Sequence, residues 1–299
     1  MAVPLPSSFR HRTVDADGLA VHTVVGGEGP PVLLLHGYPQ THLIWHEVAP
    51  ALAAAGRTVV LTDLRGYGDS AKPAPVTDDV YAKRAMAHDQ LLAMRALGFD
   101  RFAVAGHDRG ARVGHRLALD HPDAVSALAV LDIVPTRHTF AHADAEFGLG
   151  YYHWFFLAAG HGIPERLIGH DPEFWIRSRM TARHSGGAAY DEAAVREYVR
   201  CFSDPAAIAA SCADYRAAAG VDLEHDEADA AAGRRVRCPV LALWGEHSFV
   251  GRSYDVLEVW RAYAEHVTGT ALPSDHYLPE EVPALVTEQL ERFLAGAGW

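Results

Sequence analysis

The sequence predicts an α/β fold, in which a mostly parallel sheet carries helices on both faces and a helical segment is inserted into the sheet domain. Two observations lead to this prediction. Short apolar runs alternate with helical patterns along most of the chain, and the alternation stops between about Thr136 and Arg235 before it resumes at Pro239. A parallel sheet that is covered on both faces has strands that read as continuous apolar runs.

Five apolar runs predict the parallel strands: "PVLLLHG", "TVVLTD", "FAVAGHD", "ALAVLDIVP" and "PVLALWGE". Helical patterns occupy residues 80–97 and 109–121 between them. Upstream, "TVDADGLAVHTVVGG" alternates in polarity around a turn signal. This pattern predicts a hairpin, which would place antiparallel strands at one edge of the sheet.

The interruption of the strand pattern is rich in aromatic residues and helix formers, as in "FGLGYYHWFFLAAG", "PEFWIRSRM", "AAVREYVRCF" and "AAIAASCADYRAAA". No internal repeat is visible in it. We therefore expect one core domain formed by residues 1–135 and 236–299, and a helical cap domain formed by residues 136–235.

Composition excludes several classes of function. Lys and Arg number 26 and Asp and Glu 38, which gives a net charge of −12 and a field that repels nucleic acid and anionic membranes. The three cysteines form no CxxC pair, so neither a disulfide framework nor a thiolate zinc site is expected. The start "MAVPLPSSFRHR" lacks the apolar core of a signal peptide, and no apolar run approaches the ~20 residues that cross a bilayer. These features favour a cytoplasmic protein, and an anionic substrate would need a local positive site.

The pentapeptide "GHDRG" follows a predicted strand and precedes a predicted helix. Small residues on either side of the central Asp108 permit the sharp strand-to-helix turn that exposes a nucleophile above a sheet. Asp108 takes the serine position of the G-x-S-x-G turn. The alternative for the pentapeptide alone is an aspartate that only caps the helix.

Candidate partners of Asp108 follow in the order that is typical of α/β-hydrolases. Asp132 ends a predicted strand, and His276 lies in "PSDHYLPEE" near the C-terminus. Many such enzymes place the acid after the later strand, where this chain has Ser248, so we assign Asp132 and keep Glu246 as the fallback. In "LLLHGYP", the backbone N–H of Tyr38 is placed to complete an oxyanion hole.

An aspartate nucleophile favours displacement at sp³ carbon, because attack there gives an ordinary ester that water can open. The leaving group would be a halide or an epoxide oxygen. Arg109 follows the nucleophile and Arg112 lies one helical turn further on. Two guanidinium groups at a buried site need an anion, and their planar donors fit a carboxylate. The alternative for Arg112 is an ion pair with a cap acid such as Asp144 or Glu146.

The chain resembles the fluoroacetate (haloacetate) dehalogenases of the α/β-hydrolase fold over nearly its whole length. The motifs that carry the resemblance are "HGYPQTHLIWH", "DLRGYGDS", "GHDRGARVGHRLALDHP", "LDIVPT", "YYHWFF", "CADYRA" and "HYLPEE". The resemblance implies that Asp108 is the nucleophile, that Asp132 and His276 are the acid and base, and that Arg109 and Arg112 bind the substrate carboxylate. The backbone N–H of Arg109 would join that of Tyr38 in the oxyanion hole.

The resemblance also implies a halide site formed by His153, Trp154 and Tyr215. An imidazole N–H, an indole N–H and a phenol O–H are three donors that can converge on one small anion. Without the resemblance, "YYHWFFL" would be read as core packing. The resemblance further implies a homodimer, no cofactor, and a small anionic haloacid and water as the partners in the reaction. His138 and His142 have helical spacing but no accompanying carboxylate motif, so we assign no metal site.

Three other functions remain open from the sequence. An epoxide hydrolase would use Tyr215 with a second cap tyrosine to protonate the alkoxide, the candidates for the second being Tyr151, Tyr152, Tyr190 and Tyr198. That function leaves Arg112 unexplained. A haloalkane dehalogenase would want a halide-binding tryptophan after the nucleophile instead of Arg109. A non-catalytic ligand sensor would tolerate the loss of a catalytic residue, yet all three are present.

Overall fold

The computed structural model of the chain describes residues 5–181 and 190–299. Its strands are β1 Arg10–Ala16, β2 Leu19–Gly26, β3 Pro31–Leu35, β4 Thr58–Thr62, β5 Phe102–His107, β6 Val125–Leu131, β7 Val240–Gly245 and β8 Val267–Leu272. They form an eight-stranded sheet in the order β1-β2-β4-β3-β5-β6-β7-β8. The predicted α/β fold is confirmed.

The predicted hairpin lies at one edge of this sheet. Strand β2 pairs antiparallel with both β1 and β4, whereas all the other neighbouring strands run parallel. The hairpin turns at Asp17 and Gly18, which have φ angles of 55° and 83°. An Asp-Gly pair favours this two-residue turn because both of its central positions require positive φ.

Helices cover both faces of the sheet. Those of the sheet domain are α1 Val48–Ala54, α2 Lys83–Ala96, α3 Arg109–Asp120, α12 Phe249–Ser253, α13 Val256–Tyr263, α14 Leu278–Glu281 and α15 Pro283–Gly296, with short 3-10 helices at His42–Trp45 and Asp78–Tyr81. Side chains alternate along β3: Leu33 and Leu35 pack in the cluster with α2 and α3, and Val32 and Leu34 in the cluster with α1 and α15. Burial on both faces explains the continuous apolar runs.

Between β6 and β7 the described chain has only helices as regular elements: α4 Thr136–Ala141, α5 Ala145–Gly150, α6 His153–Ala158, α7 Ile163–His170, α8 Pro172–Thr181, α9 Glu192–Phe202, α10 Pro205–Ala219 and α11 Val221–Ala231. We refer to residues 136–235 as the cap segment. Helix α10 contacts α6, α7 and the 3-10 helix at Asp78–Tyr81. It therefore connects the cap segment to the sheet domain.

Two details differ from the sequence prediction. The helix predicted from residue 80 begins at Lys83, because residues 78–81 form a separate 3-10 helix and the Lys83 N–H is bound by Asp222 Oδ1 at 2.7 Å. Strand β8 was not predicted. It is an edge strand with alternating exposure, so it lacks the apolar run that marks the central strands. Within the described ranges, no helix has the length and apolar character needed to cross a membrane.

Candidate active site

Asp108 occupies the sharp turn between β5 and α3. Its φ of 45° and ψ of −112° are unusual for a residue with a side chain. The flanking glycines are required by close contacts, since a Cβ on Gly106 would lie 2.6 Å from the Ala111 backbone and one on Gly110 would lie 2.4 Å from the His36 carbonyl oxygen. The Asp108 side chain makes no capping hydrogen bond to α3. The helix-cap alternative therefore does not describe this residue.

The Asp108 carboxylate is buried but remains ionised. Burial raises its pKa, but His276, His107 and the two arginines that follow the nucleophile lower it more, so the pKa lies below its ordinary value. The backbone N–H of Tyr38 donates to Asp108 Oδ2 at 3.1 Å. One carboxylate oxygen is thus held by the predicted oxyanion-hole donor, and Oδ1 lies outside this hydrogen bond.

His276 and Asp132 form a buried pair, and the charge of His276 acts on Asp108. His276 Nδ1 lies 2.6 Å from Asp132 Oδ2, and Asp132 Oδ1 accepts from the Gly245 N–H at 3.0 Å and the Ser248 hydroxyl at 2.7 Å. Asp132 also has a positive φ, of 54°. The fallback acid Glu246 is 48% exposed at its side chain. The acid that faces His276 is therefore Asp132, and Ser248 orients that acid instead of replacing it.

Arg109 is bound by an acid of the cap segment. Its Nε donates to Asp214 Oδ2 at 2.9 Å, and its Nη2 donates to Asp214 Oδ1 at 2.6 Å and to the Asp214 carbonyl at 2.9 Å. Its Nη1 is buried and has no hydrogen-bond partner within the described chain. Arg109 therefore keeps one nitrogen outside the ion pair, and the cap-acid ion pair that we considered for Arg112 is made by Arg109 instead.

Asp214 is the centre of a buried network. It also accepts from the Lys83 ammonium and from the Tyr67 hydroxyl, the latter at 2.7 Å, and Lys83 lies 3.3 Å from Asp222 Oδ2. Burial raises the Asp214 pKa, but Arg109 and Lys83 outweigh this and bring it far below its ordinary value. The two cations and two carboxylates of the network balance each other.

The charge of Arg112, in contrast, is not paired with any carboxylate that the structure describes. Its Nη1 donates to the Val134 carbonyl and the Thr136 hydroxyl, each at 3.0 Å, and its guanidinium lies 4.6 Å from the Trp154 ring centroid. Its Nε is buried and has no partner among the described residues. Burial and then the charge of Arg109 lower its pKa. Asp144, considered as a partner, caps α5 instead by accepting from the Phe147 N–H at 2.9 Å.

The three residues assigned to a halide site come together from two helices. His153 and Trp154 begin α6, and Tyr215 lies on α10. The Tyr215 ring centroid is 5.8 Å from that of His153, 5.9 Å from that of Trp154 and 5.3 Å from that of Tyr38. All are buried. The arrangement places three polar aromatic groups together on the cap side of the nucleophile turn.

The other cap tyrosines considered for an epoxide hydrolase have different surroundings. The Tyr198 hydroxyl donates to Glu280 Oε1 at 2.8 Å, and the Tyr190 hydroxyl lies 3.5 Å from Glu281 Oε1. The Tyr152 hydroxyl accepts from Arg179 at 2.6 Å. The Tyr151 ring packs 4.5 Å from Phe249.

One group of described residues has donors suitable for a metal ion, namely His22, His42 and Asp63. Asp63 Oδ1 accepts from the backbone N–H and Nδ1–H of His42 at 2.8 and 2.9 Å. Its Oδ2 accepts from His22 Nδ1–H at 2.8 Å and from the Asp69 N–H at 3.0 Å. Both oxygens are thus engaged in hydrogen bonds, so we read the group as a structural network. His142 Nδ1 donates to the His138 carbonyl at 2.9 Å.

Sequence reasoning missed several residues around the site. Asp214 stands directly before Tyr215 in "CADYRA", and an acid next to a candidate site residue was the available signal. Lys83 and Asp222 gave no signal in the sequence, because they are distant from the candidate site residues along the chain. Trp175 Nε1 donates to the Tyr38 hydroxyl, and Arg179 lies next to Trp175 on α8.

Comparison with known proteins identifies the family of the chain. A family model described as the alpha/beta hydrolase fold matches residues 30–283. The chain is 43% identical over 291 residues to a fluoroacetate dehalogenase from Burkholderia sp, covering 97% of this chain and 95% of the relative. It is 34% identical over 295 residues to a soluble epoxide hydrolase from Corynebacterium sp., covering 97% and 99%.

Among solved structures, a variant of a Pseudomonas aeruginosa protein provisionally assigned as an epoxide hydrolase, solved with bound MFA, has a TM-score of 0.93. It is 48% identical, and the match covers 98% of each chain. The family model and the full-length relatives lead to one assignment. The chain belongs to the α/β-hydrolase fold family, as a hydrolase related over its full length to a fluoroacetate dehalogenase and to a soluble epoxide hydrolase.

Proposed function

We propose that this enzyme hydrolyses a 2-haloacetate, fluoroacetate or chloroacetate, to glycolate and halide through an ester on Asp108. The observation that carries the proposal is the buried guanidinium of Arg112, which makes no ion pair with a described carboxylate and lies one turn from the nucleophile. Because a buried cation without a counter-ion is costly, an anionic group of the substrate is the natural partner. The full-length relation to a fluoroacetate dehalogenase supports the same substrate class.

In the first step, the substrate carboxylate binds to Arg112 and to Nη1 of Arg109. Asp108 Oδ1 then attacks the α-carbon opposite the halogen, so that the new C–O bond forms as the carbon–halogen bond breaks. The halide leaves with the bonding electron pair. The bound carboxylate fixes the angle of approach, which is what an in-line displacement requires.

The halide departs toward His153, Trp154 and Tyr215. Hydrogen bonds to a charged acceptor are each worth roughly 1.5–3 kcal/mol. Three such bonds would lower the barrier by about 5–9 kcal/mol if they strengthen as the halide forms. The carbon–fluorine bond, which is the strongest of the carbon–halogen bonds, needs this assistance most.

In the second step, His276 takes a proton from water, and the water oxygen attacks the ester carbonyl of Asp108. Asp132, 2.6 Å from Nδ1, holds the imidazole with Nε2 as the base. The oxyanion develops on Oδ2, where the Tyr38 N–H already donates, and the Arg109 N–H is the second donor. Collapse of the intermediate breaks the bond between the Asp108 carbonyl carbon and the glycolate oxygen, which takes the proton back from His276, and the second water proton passes from the Asp108 carboxyl to solvent. Both steps use only side chains, backbone groups and water, so no cofactor or metal is required.

The second candidate is an epoxide hydrolase with the same nucleophile, favoured by the relative from Corynebacterium sp.. Tyr215 would then protonate the alkoxide. The hydroxyls of Tyr198 and Tyr190 face glutamates, which leaves them poorly placed to assist. A non-catalytic sensor is disfavoured because Asp108, Asp132 and His276 are all present.

Other features belong to the same proposal. We take residues 136–235 as a cap domain on a core formed by residues 1–135 and 236–299, and we expect a cytoplasmic homodimer. Apolar side chains on four successive cap helices support an interface there, since they are largely exposed: Leu149, Phe155, Ile163, Leu167 and Phe174.

Halide release from fluoroacetate and chloroacetate, measured in parallel by ion-selective electrode, tests the function. Styrene oxide hydrolysis and the variant D108N are the controls. The proposal expects many turnovers of halide per enzyme and none with D108N. Diol from the epoxide without any halide would overturn it in favour of the second candidate, and no product from either class would favour the sensor.

A further inference from the structure

Arg179 is a buried cation that has no carboxylate partner among the residues that the structure describes. It lies on α8 and is 8% exposed. Its Nη2 donates to the Tyr152 hydroxyl at 2.6 Å, and its Nε is buried without a partner in the described part of the chain. Residues 182–189 contain no Asp or Glu in their sequence, so they cannot supply a carboxylate.

Two aromatic rings hold the Arg179 guanidinium. Its central carbon lies 4.7 Å from the Tyr152 ring centroid and 5.0 Å from that of Trp175. Cation–π contacts of this kind orient a guanidinium without neutralising it. A full positive charge therefore remains in a buried setting, where an anion is the partner that lowers its free energy.

Two side chains link Arg179 to Asp108. Trp175, which lies against the Arg179 guanidinium, donates to the Tyr38 hydroxyl, and the Tyr38 backbone N–H donates to Asp108. Burial raises the pKa of the Tyr38 phenol well above its ordinary value, and the Trp175 hydrogen bond and the positive charge of Arg179 act against that rise. The second ring that holds the Arg179 guanidinium, that of Tyr152, belongs to the residue before His153, and the Tyr152 and His153 ring centroids are 6.2 Å apart.

The charge balance of the site shows why a further cation matters. Arg109 and Lys83 are paired with Asp214 and Asp222, whereas Arg112 makes no ion pair with a described carboxylate. The chain as a whole carries a net charge of −12, which repels an anionic substrate, and Arg112 faces that repulsion next to the negative charge of Asp108. Arg179 adds a second cation that has no carboxylate partner among the described residues.

We propose that Arg179 forms an anion subsite in the cap segment, which binds a small monoanion beside the reaction centre and raises the affinity of the enzyme for its anionic substrate. The inference rests on the proposed function. The monoanion is either the carboxylate of the incoming substrate, before it binds to Arg109 and Arg112, or the halide product after it leaves His153, Trp154 and Tyr215, and the same charge suits both. Because the charge acts equally on the bound substrate and on the transition state, it changes KM and leaves kcat unaffected.

The test compares R179Q with R177Q, a matched control on the same helix. Arg177 is more exposed and is paired with Glu173 and Glu192. For chloroacetate hydrolysis, R179Q is expected to raise KM about ten-fold, with kcat within about two-fold and a weaker dependence of kcat/KM on ionic strength. R179K is expected to restore most of the affinity, and R177Q to behave as the wild type. An unchanged KM in R179Q, with an unfolding midpoint like that of the wild type, would overturn the subsite.

Binding separates this inference from the proposed function. Calorimetric titrations with acetate and with chloride need no turnover, so they remain informative even if the wild type releases no halide. Weaker acetate binding in R179Q than in R177Q assigns the subsite to carboxylates, and weaker chloride binding assigns it to halides. Equal affinities of both variants for both anions would contradict the subsite, whichever reaction the enzyme performs.

Discussion

Arg109, the residue after the nucleophile, donates through Nε and Nη2 to the two carboxylate oxygens of Asp214 in the cap segment, at 2.9 and 2.6 Å. This ion pair joins the nucleophile turn of the sheet domain to helix α10, which also carries Tyr215. The ion pair leaves Nη1 of Arg109 without a hydrogen-bond partner in the described chain, and the proposed function assigns this nitrogen to the substrate.

Replacing Asp214 by Asn should destabilise the protein strongly. The change leaves Arg109 buried without its counter-charge and Lys83 with Asp222 alone, and breaking a buried pair in this way costs about 3–5 kcal/mol. Urea unfolding measures the loss. D226N is the control, because Arg116 would keep its ion pair with Asp229 and the cost should be much smaller. Equal losses in D214N and D226N would show that the network is not a main source of stability.

Replacing Trp154 by Phe should slow fluoride release more than chloride release. The indole N–H is lost while the aromatic packing against Arg112 is largely kept. One hydrogen bond to a developing anion corresponds to roughly 10- to 150-fold in rate, and fluoride is the stronger acceptor. Comparing the two halide-release rates in W154F and wild type tests the assignment. An unchanged ratio of the two rates would place the halide elsewhere.

Replacing Ser248 by Ala should weaken both catalysis and stability. The hydroxyl donates to Asp132 Oδ1 at 2.7 Å and accepts from the Gly251 N–H at 3.0 Å as the cap of α12. Because Gly245 still holds the same oxygen, we expect kcat to fall only about three- to ten-fold, with about 0.5–2 kcal/mol of lost stability. S248T keeps a hydroxyl and should recover part of each. If kcat in S248A equals that of the wild type, Ser248 does not help to position the acid.

Glu280 should make the stability of the fold dependent on pH. Burial raises its pKa to about 8, and the Tyr198 hydroxyl donates to its Oε1 at 2.8 Å. Since the pKa is raised in the folded state, this contribution is complete below the unfolded value near 4.5 and is lost as the pH rises through 8. E280Q should therefore lose less unfolding free energy between pH 5 and pH 8 than the wild type, as measured by urea unfolding at both values. An identical loss in both proteins would contradict the raised pKa.

Much of the fold could be predicted from the sequence because the central strands are buried on both faces and appear as apolar runs. The turn at Asp108 could also be predicted, because its glycines and Asp108 lie in one short stretch of the sequence. Asp132 and His276 followed from their order in the chain, and the structure brings them within 2.6 Å. The edge strand β8 was missed because one of its faces is exposed and its apolar pattern is broken.

The ionic partners of the site could not be predicted in the same way. Arg109 and Arg112 are alike in sequence, but one side chain reaches an acid on α10 while the other reaches the Val134 carbonyl and Thr136. Which acid meets which arginine depends on how the cap segment packs on the sheet domain. Lys83 and Asp214 are separated by 131 residues, and neither stands in a pattern that points to the other.

The ester on Asp108 is the central claim, and mass spectrometry of H276N incubated with chloroacetate or fluoroacetate tests it most directly. Without the imidazole base, the second step should stall after the halide has left. The account predicts a protein that gains the mass of one carboxymethyl group, located on the peptide that contains Asp108, with one equivalent of halide released. An unmodified protein that still turns over, or a modification on another residue, would contradict it.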